Sequence, residues 1–111
     1  MRYTSKVLAY DIINDSFYEK PFHVYPRNKN DEFSIKYNLT KEDIGKILHS
    51  INKNNFCEKI KNEDKSIKAE WLYHFNLLYQ LVNEYGVMDM VSIYLKICEI
   101  NNNILIISIH D

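Results

Sequence analysis

The feature that most constrains the fold is an alternation of apolar and polar residues in the stretch YLKICEINNNILIISIHD, residues 94–111. Side chains of a β-strand point alternately to the two faces of a sheet, so this pattern predicts two strands that share an apolar face. Asparagine tolerates a positive φ angle, and the run 101–103 is therefore predicted to be the loop between them. The sequence thus predicts a C-terminal β-hairpin.

A three-residue loop sets the pairing of the two predicted strands. Tyr94 then faces His110, and Lys96 faces Ser108, on the polar side of the hairpin. The other predicted pairs are Ile100 with Ile104, Cys98 with Ile106, Ile97 with Ile107 and Leu95 with Ile109. A slip of one residue would set apolar side chains against lysine and tyrosine, so the faces are well determined, whereas a slip of two residues would preserve them.

The polar side of the hairpin gathers residue types that transfer protons and bind anions, namely Tyr94, Lys96 and His110. Cleavage of RNA without a metal needs a base for the 2′-hydroxyl, a cation for the phosphorane and an acid for the leaving oxygen. A polar side is also ordinary for a half-exposed antiparallel hairpin, and on geometry alone that second interpretation has the greater weight.

Earlier segments predict short helices and one strand. The spacing of apolar residues at 6–14 favours an amphipathic helix, with a strand as the alternative. Residues 22–25 predict a strand that Pro26 ends, and residues 27–38 predict a short helix.

The best helix signal in the first half of the chain begins at Thr40. Thr40 and Asp43 resemble a capping box, and an apolar stripe follows them: Ile44, Ile47, Leu48 and Ile51. We therefore predict a helix from Lys41 to about Ile51.

Two later segments have weaker patterns. Residues 52–68 are polar and lysine-rich, which predicts a loop with at most a short strand or turn near Phe56. Residues 69–86 fit a strand in their first half and a helix ended by Gly86 in their second half. With no linker in residues 1–111, we predict one α+β domain, in which short N-terminal helices pack on a small, twisted, mainly antiparallel sheet that ends in the hairpin.

Composition narrows the classes of function. The net charge of −1 argues against a general nucleic-acid coat protein, so RNA binding would need a local basic cluster. Cys57 and Cys98 lack metal or redox spacing and predict reduced thiols in the cytoplasm. The longest apolar run, 104–107, is too short for a membrane span, and the scattered histidines and two glycines predict no metal and no cofactor.

Several short motifs occur in an order that is typical of one family. They are RNKN at 27–30, LTKEDIGKILHSI at 39–51, NNFCEK at 54–59, EW at 70–71, IYLKI at 93–97 and SIHD at 108–111. In this order the chain resembles the MqsR-type motility quorum-sensing regulator toxins, which are mRNA interferases with a RelE-like fold. The resemblance covers roughly residues 10–111, and the order of the motifs carries its specificity.

The resemblance implies a metal-independent endoribonuclease, the toxin of a type II toxin–antitoxin system. Its substrate would be mRNA, free or on the ribosome, and a cognate antitoxin would be its protein partner. The family's catalytic tyrosine falls on Tyr94 and its basic residue on the last strand falls on His110, with Lys96 in support. A catalytic lysine falls on Lys59, or on Glu58 if the alignment is not shifted by one.

Two sets of basic residues are expected to contact RNA. Arg27 and Lys29 match the basic run of the family. The lysine-rich segment would grip phosphate if it folded beside Tyr94 and His110, through Lys59, Lys61, Lys65 and Lys68. That arrangement would supply the local basic cluster that the net charge lacks.

The sequence also departs from the family pattern. Asn55 and Cys57 replace an aspartate and an aromatic residue, and Leu72 stands where a polar residue is expected. The 22 residues between Trp71 and Tyr94 exceed the usual spacing. An alternative function is therefore a non-catalytic protein-binding module of the same fold, such as an immunity or anti-defence factor of a mobile element, with 76–90 as its interface.

Overall fold

A computed structural model describes residues 21–111 of the chain. Within that range two α-helices lie beside five strands. The helices are α1 (Asn28–Lys36) and α2 (Lys41–His49), and a short 3-10 helix spans Lys53–Asn55. The strands are β1 (Phe22–Val24), β2 (Phe56–Lys61), β3 (Trp71–Val82), β4 (Met88–Ile100) and β5 (Asn103–His110). The predicted helix at 6–14 lies outside the described residues.

The five strands form one sheet in the order β1-β5-β4-β3-β2. β1 runs parallel to β5, and the other neighbours are antiparallel. Both helices pack on one face of this sheet and bury the main core, whose centre includes Phe33, Ile47, Phe75, Ile93 and Leu95. The predicted α+β class, with a mainly antiparallel sheet, is confirmed. No helix within residues 21–111 is long and apolar enough to cross a membrane.

A smaller apolar cluster lies on the opposite face of the sheet, formed by Ile67, Leu72, Cys98 and Ile107. The segment between β2 and β3 covers it. Asn62 shapes that segment, because its side-chain amide donates to the carbonyls of Asp64, Ile67 and Ala69 at 3.1, 2.7 and 2.8 Å. Burial raises the pKa of the Cys98 thiol to about 11, and both cysteines are free thiols.

The predicted start of the second helix is confirmed at Thr40. Its Oγ1 atom accepts a hydrogen bond from the Asp43 backbone N–H at 3.1 Å, and the Asp43 carboxylate accepts from the Thr40 N–H at 2.8 Å. These bonds hold the pKa of Asp43 below its ordinary value. The helix ends at His49, two residues before the predicted end.

The helix predicted in the second half of 69–86 is wrong, because β3 continues as a strand to Val82. Leu77 and Leu81 are buried on the helix side of the sheet, whereas Leu78 and Val82 are exposed on the other side. The apolar doublets fit either period in isolation, and pairing with β4 selects the strand. Gly86, with a φ of 78°, lies in the turn between β3 and β4 and does not end a helix.

The segment around Phe56, predicted mainly as loop, forms strand β2. Phe56 pairs with Phe75, and a bulge at Cys57 separates this pair from that of Glu58 with His74. Edge pairing with the long strand β3 thus orders residues whose own sequence pattern is weak.

The turn between β4 and β5 has two residues and not three, because Asn101 and Asn102 alone occupy it, with φ angles of 51° and 64°. Both angles are positive, as a type I′ turn requires. Three of the predicted pairs are therefore wrong by one residue: Ile100 pairs with Asn103, Cys98 with Leu105 and Ile97 with Ile106. Between them Glu99 pairs with Ile104.

A bulge at Ile107 cancels this shift farther along the strands. Tyr94 with His110, Leu95 with Ile109, and Lys96 with Ser108 are paired as predicted. The prediction that Ile107 shares the main core face is wrong, because the extra residue turns it into the small cluster opposite.

Candidate functional site

Three aromatic rings stack on the sheet face opposite the helices. Tyr94 of β4 lies 4.9 Å from the ring of His110 on β5, with only 11° between their planes. On its other side Tyr94 lies 4.0 Å from the ring of His74 on β3. These three residues are called the ring stack below. β4 lies between β3 and β5, which explains why the two imidazoles flank one phenol.

Two cations border the ring stack. The Lys96 ammonium is 5.7 Å from the centroid of the Tyr94 ring. Arg27 lies between β1 and α1, beside β5, and its Nη1 atom donates a 2.8 Å hydrogen bond to the hydroxyl of Ser108. Since Ser108 pairs with Lys96, the guanidinium and the ammonium lie on the same part of the sheet face. This is the local positive charge that an anionic ligand would need.

Buried Asn30 connects α1 to the strand that carries Ser108 and His110. Its amide donates to the carbonyls of Tyr25 and Ile107 at 2.9 and 3.0 Å, and its oxygen accepts from the N–H of Ile109 at 2.9 Å. Asn30 thus places the start of α1, and Arg27 with it, beside β5.

The last two residues are held by an ion pair. His110 Nδ1 lies 3.2 Å from the backbone oxygen of Asp111, and the Asp111 carboxylate lies 2.9 Å from Lys36 Nζ. The hydrogen bond from Lys36 holds the pKa of Asp111 below its ordinary value, and the same bond raises the pKa of Lys36. The chain is therefore tied to α1 directly after His110.

His74 is a site residue that the sequence did not predict. Its Nε2 atom lies 3.2 Å from the side-chain oxygen of Asn76, and its Nδ1 atom is buried with no hydrogen-bond partner among residues 21–111. Alternation from Phe75 would have placed His74 and Asn76 on the face of Tyr94, had the whole of β3 been recognised as a strand.

The structure separates Lys59 from the ring stack. Lys59 pairs with Tyr73, which packs against the main core, so it lies on the helix side of the sheet. Its ammonium is 4.2 Å from the centroid of the Trp71 ring. Alternation along β2 is the physical reason, because Glu58 takes the position on the face of His74.

The residues predicted to bind RNA do not all lie in one place. Lys61 lines a cavity of about 600 Å³ together with Arg27 and Lys96. Lys29 lines a second cavity of about 330 Å³ that His110 and Asp111 also line. Lys65 is exposed in the segment after β2 and lines neither cavity.

The site combines proton-transferring rings with cations on a surface open to solvent. Tyr94, Lys96 and His110 come together as the predicted register requires, and Arg27 and His74 join them through long-range contacts. Such a set can orient a phosphodiester and exchange protons with it. Comparison of the chain with protein-family models finds no match, and comparison with curated protein sequences finds none either.

Proposed function

We propose that the ring stack and its cations form the active site of a metal-independent endoribonuclease. One observation supports this most: two imidazoles flank a tyrosine, with Lys96 and Arg27 beside them, on one accessible sheet face. The motif order that resembles MqsR-type toxins supports the same activity and a RelE-like assignment of the fold. The protein would then be the toxin of a type II toxin–antitoxin system, acting on mRNA and held by a cognate antitoxin.

In the proposed reaction His110 removes the proton of a 2′-hydroxyl. The 2′-oxygen attacks the adjacent phosphorus, and the bond from phosphorus to the 5′-oxygen breaks. Tyr94 gives its hydroxyl proton to the leaving 5′-oxygen, which yields a 2′,3′-cyclic phosphate and a 5′-hydroxyl end. Lys96 and Arg27 stabilise the negative charge that develops on the phosphorane. His74 packs against the Tyr94 ring with 32° between their planes and limits the rotation of that ring.

The proposal is tested by inducing expression in a bacterial host and by incubating purified protein with single-stranded RNA. We expect the wild type to arrest growth and to cleave RNA. Tyr94→Phe and His110→Ala should each lower the cleavage rate by about 10²- to 10⁴-fold, the usual contribution of one proton-transferring group, and should restore growth.

Two variants serve as matched controls. Tyr85→Phe changes an exposed tyrosine at the tip of the β3–β4 turn, and His49→Ala changes an exposed histidine at the end of α2. Both should cleave at the wild-type rate. If purified protein leaves RNA intact at high concentration, and the Tyr94 and His110 variants behave like wild type in cells, the enzyme proposal is wrong.

A second function, non-catalytic protein binding, is favoured by an exposed apolar stripe. Four residues on the projecting part of β3 and β4 share the face of the ring stack: Leu78, Val82, Met88 and Met90. Their exposed fractions are 70%, 49%, 56% and 61%. Large apolar side chains exposed side by side are typical of a protein interface. On this proposal the longer spacing between Trp71 and Tyr94 supplies the interface of an immunity or anti-defence factor.

The binding function is tested with a double variant, Leu78→Ser with Met90→Ser. We expect it to lose a co-expressed partner from a neighbouring gene during purification. A control double variant, Gln80→Ala with Ser92→Ala, changes exposed polar residues of the same face and should retain the partner. Growth arrest that the partner relieves would identify it as an antitoxin, whereas harmless expression with stable binding would favour the non-catalytic function.

A further inference from the structure

The first cavity, of about 600 Å³, adjoins the ring stack. Arg27 and Lys96 line it, and both also contact the site, through Ser108 and the Tyr94 ring respectively. Its volume lies within the range of cavities that bind small organic ligands. A strand of RNA whose phosphate lies at the two cations would therefore have an open space of suitable size for a neighbouring nucleotide.

The floor of the first cavity is apolar. Ile60, Leu72 and Ile107 line it, and the last two are buried in the small cluster under the segment after β2. The ring of Tyr25 forms one side, and the Tyr25 hydroxyl lies 3.0 Å from that of Ser66. An apolar floor of this kind can bury the face of a base, and the Tyr25 ring offers an aromatic surface on which a base of any identity can stack.

The loop after β2 gives the first cavity an acidic wall. Glu63 and Asp64 line it together with Asn62. The Asp64 Oδ1 atom accepts from the backbone N–H and the hydroxyl of Ser66 at 2.9 and 2.6 Å. No donor within the described part of the chain bonds its other carboxylate oxygen, Oδ2. These bonds, and those of Asn62, hold the wall in place before a ligand arrives.

Charges of both signs line the first cavity and lie close together. Hydrogen bonds from Ser66 and then the charge of Arg27 lower the pKa of Asp64. Arg27, Lys61 and Lys96 supply cations, and Glu63 and Asp64 supply carboxylates. Phosphate would be repelled by the acidic wall and attracted to the cations. An ionised carboxylate accepts hydrogen bonds and donates none. The acidic wall therefore selects a group that carries N–H donors.

We propose that the first cavity binds one nucleotide next to the scissile phosphate, and that its acidic wall selects a base with an exocyclic amino group. The phosphate lies at Arg27 and Lys96, the base lies on Ile60 and Leu72, and Glu63 and Asp64 accept hydrogen bonds from the amino group. Cytosine presents such an amino group, whereas uracil, of the same size, presents a carbonyl oxygen at that position. This inference rests on the proposed ribonuclease function, because it places the nucleotide relative to that active site.

The test measures binding of uncleavable RNA by fluorescence anisotropy. The probes are two labelled hexamers with 2′-O-methyl groups, one of cytidine and one of uridine. Wild-type protein should bind the cytidine hexamer about tenfold more tightly, as hydrogen bonds to charged groups allow. In the double variant Glu63→Gln with Asp64→Asn this ratio should fall to near one, since an amide can also donate to the uracil oxygen.

The control double variant, Glu42→Gln with Glu84→Gln, removes the same charge at exposed positions outside the cavity. It should keep the tenfold ratio between the two hexamers. Any overall gain in RNA affinity that comes from removing two negative charges should be the same in both double variants. Far-UV circular dichroism and urea unfolding show whether each variant is folded. If the cavity double variant is unfolded, the single variant Asp64→Asn replaces it, since its amide keeps the oxygen that accepts from Ser66.

Equal affinity of the wild type for the two hexamers, binding of neither hexamer, or a ratio that falls equally in both double variants would overturn this inference. A protein that cleaves RNA but binds both hexamers equally fails only here. A protein that prefers the cytidine hexamer but cleaves no RNA contradicts the proposed ribonuclease and leaves the first cavity as a nucleotide-binding site.

Discussion

Asn30 shows how much one buried polar residue contributes to the position of a site. Its side chain makes three hydrogen bonds with the backbone of Tyr25, Ile107 and Ile109, and only 1% of its surface is exposed. Asn30→Ala would leave these backbone groups buried without partners. We expect the free energy of unfolding to fall by about 3 kcal/mol, measured by urea denaturation.

The matched control for this change is Asn28→Ala, at the exposed start of the same helix. A surface substitution of this kind is expected to change the free energy of unfolding by less than about 0.5 kcal/mol. Equal unfolding midpoints for the two variants would contradict the anchoring role of Asn30.

The ion pair of Lys36 with Asp111 predicts how the C-terminus responds to pH. The bond from Lys36 lowers the pKa of Asp111, so its contribution to stability is present above the pKa of the unfolded carboxyl and is lost as the pH falls through the lowered value. The same bond raises the pKa of Lys36, so the contribution of Lys36 to stability has the opposite pH dependence and is lost as the pH rises through the raised value. The ion pair of Asp111 with Lys36 is therefore intact at neutral pH.

Lys36→Gln should return the pKa of Asp111 toward its ordinary value. Carboxyl carbon shifts followed by NMR titration measure this directly. The pKa of Asp43 serves as an internal control, since hydrogen bonds from Thr40 lower it and Lys36 is not among its causes. An Asp111 titration that is the same in Lys36→Gln as in the wild type would show that the ion pair does not form in solution.

At the scale of elements, two residues of the turn between β4 and β5 set how these two strands pair. Asn102 has a φ of 64°, a conformation that a β-branched residue adopts only with strain. Asn102→Val should lower the free energy of unfolding by about 1 to 3 kcal/mol, whereas Asn102→Gly should leave it nearly unchanged or raise it slightly. Chemical denaturation of the two variants compares them, and equal stabilities would argue against a type I′ turn.

The same elements show what the sequence could predict. The face shared by Tyr94, Lys96 and His110 followed from alternation, and the start of α2 followed from Thr40 and Asp43, because both signals are local. The compensating turn and bulge could not be read from the sequence, since a three-residue loop without a bulge gives the same pairs at the open end.

Other parts of the site depend on contacts between distant residues. Arg27 reaches Ser108 across 81 positions of the chain, and its neighbour Asn30 reaches Ile107 across 77. Lys59 was expected near Tyr94, but strand alternation in β2 places it on the opposite face. His74 lies in the half of 69–86 that fitted a strand, but its place beside Tyr94 depends on the pairing of β3 with β4. Pairing across the sheet thus decided the positions of Lys59 and His74.

At the scale of the whole molecule, a net charge of −1 coexists with two cations beside the ring stack. Arg27 and Lys96 lie beside the ring stack because the start of α1 and strand β4 bring them there, and Lys61 and Lys29 line the adjoining cavities. The global charge therefore does not describe the field at the site. The sequence predicted that RNA binding needs a local basic cluster, and this face carries basic side chains close to one another.

On the proposed function, this face cleaves RNA by attack of the 2′-hydroxyl, with proton transfer by His110 and Tyr94. The most direct measurement is the chemistry of the product ends, obtained with a defined single-stranded RNA in the presence of excess EDTA. We expect 2′,3′-cyclic phosphate and 5′-hydroxyl ends with wild-type protein, and no cleavage of the same RNA with 2′-O-methyl groups. Products with 5′-phosphate ends, cleavage of the methylated RNA, or no cleavage by the wild type would contradict it.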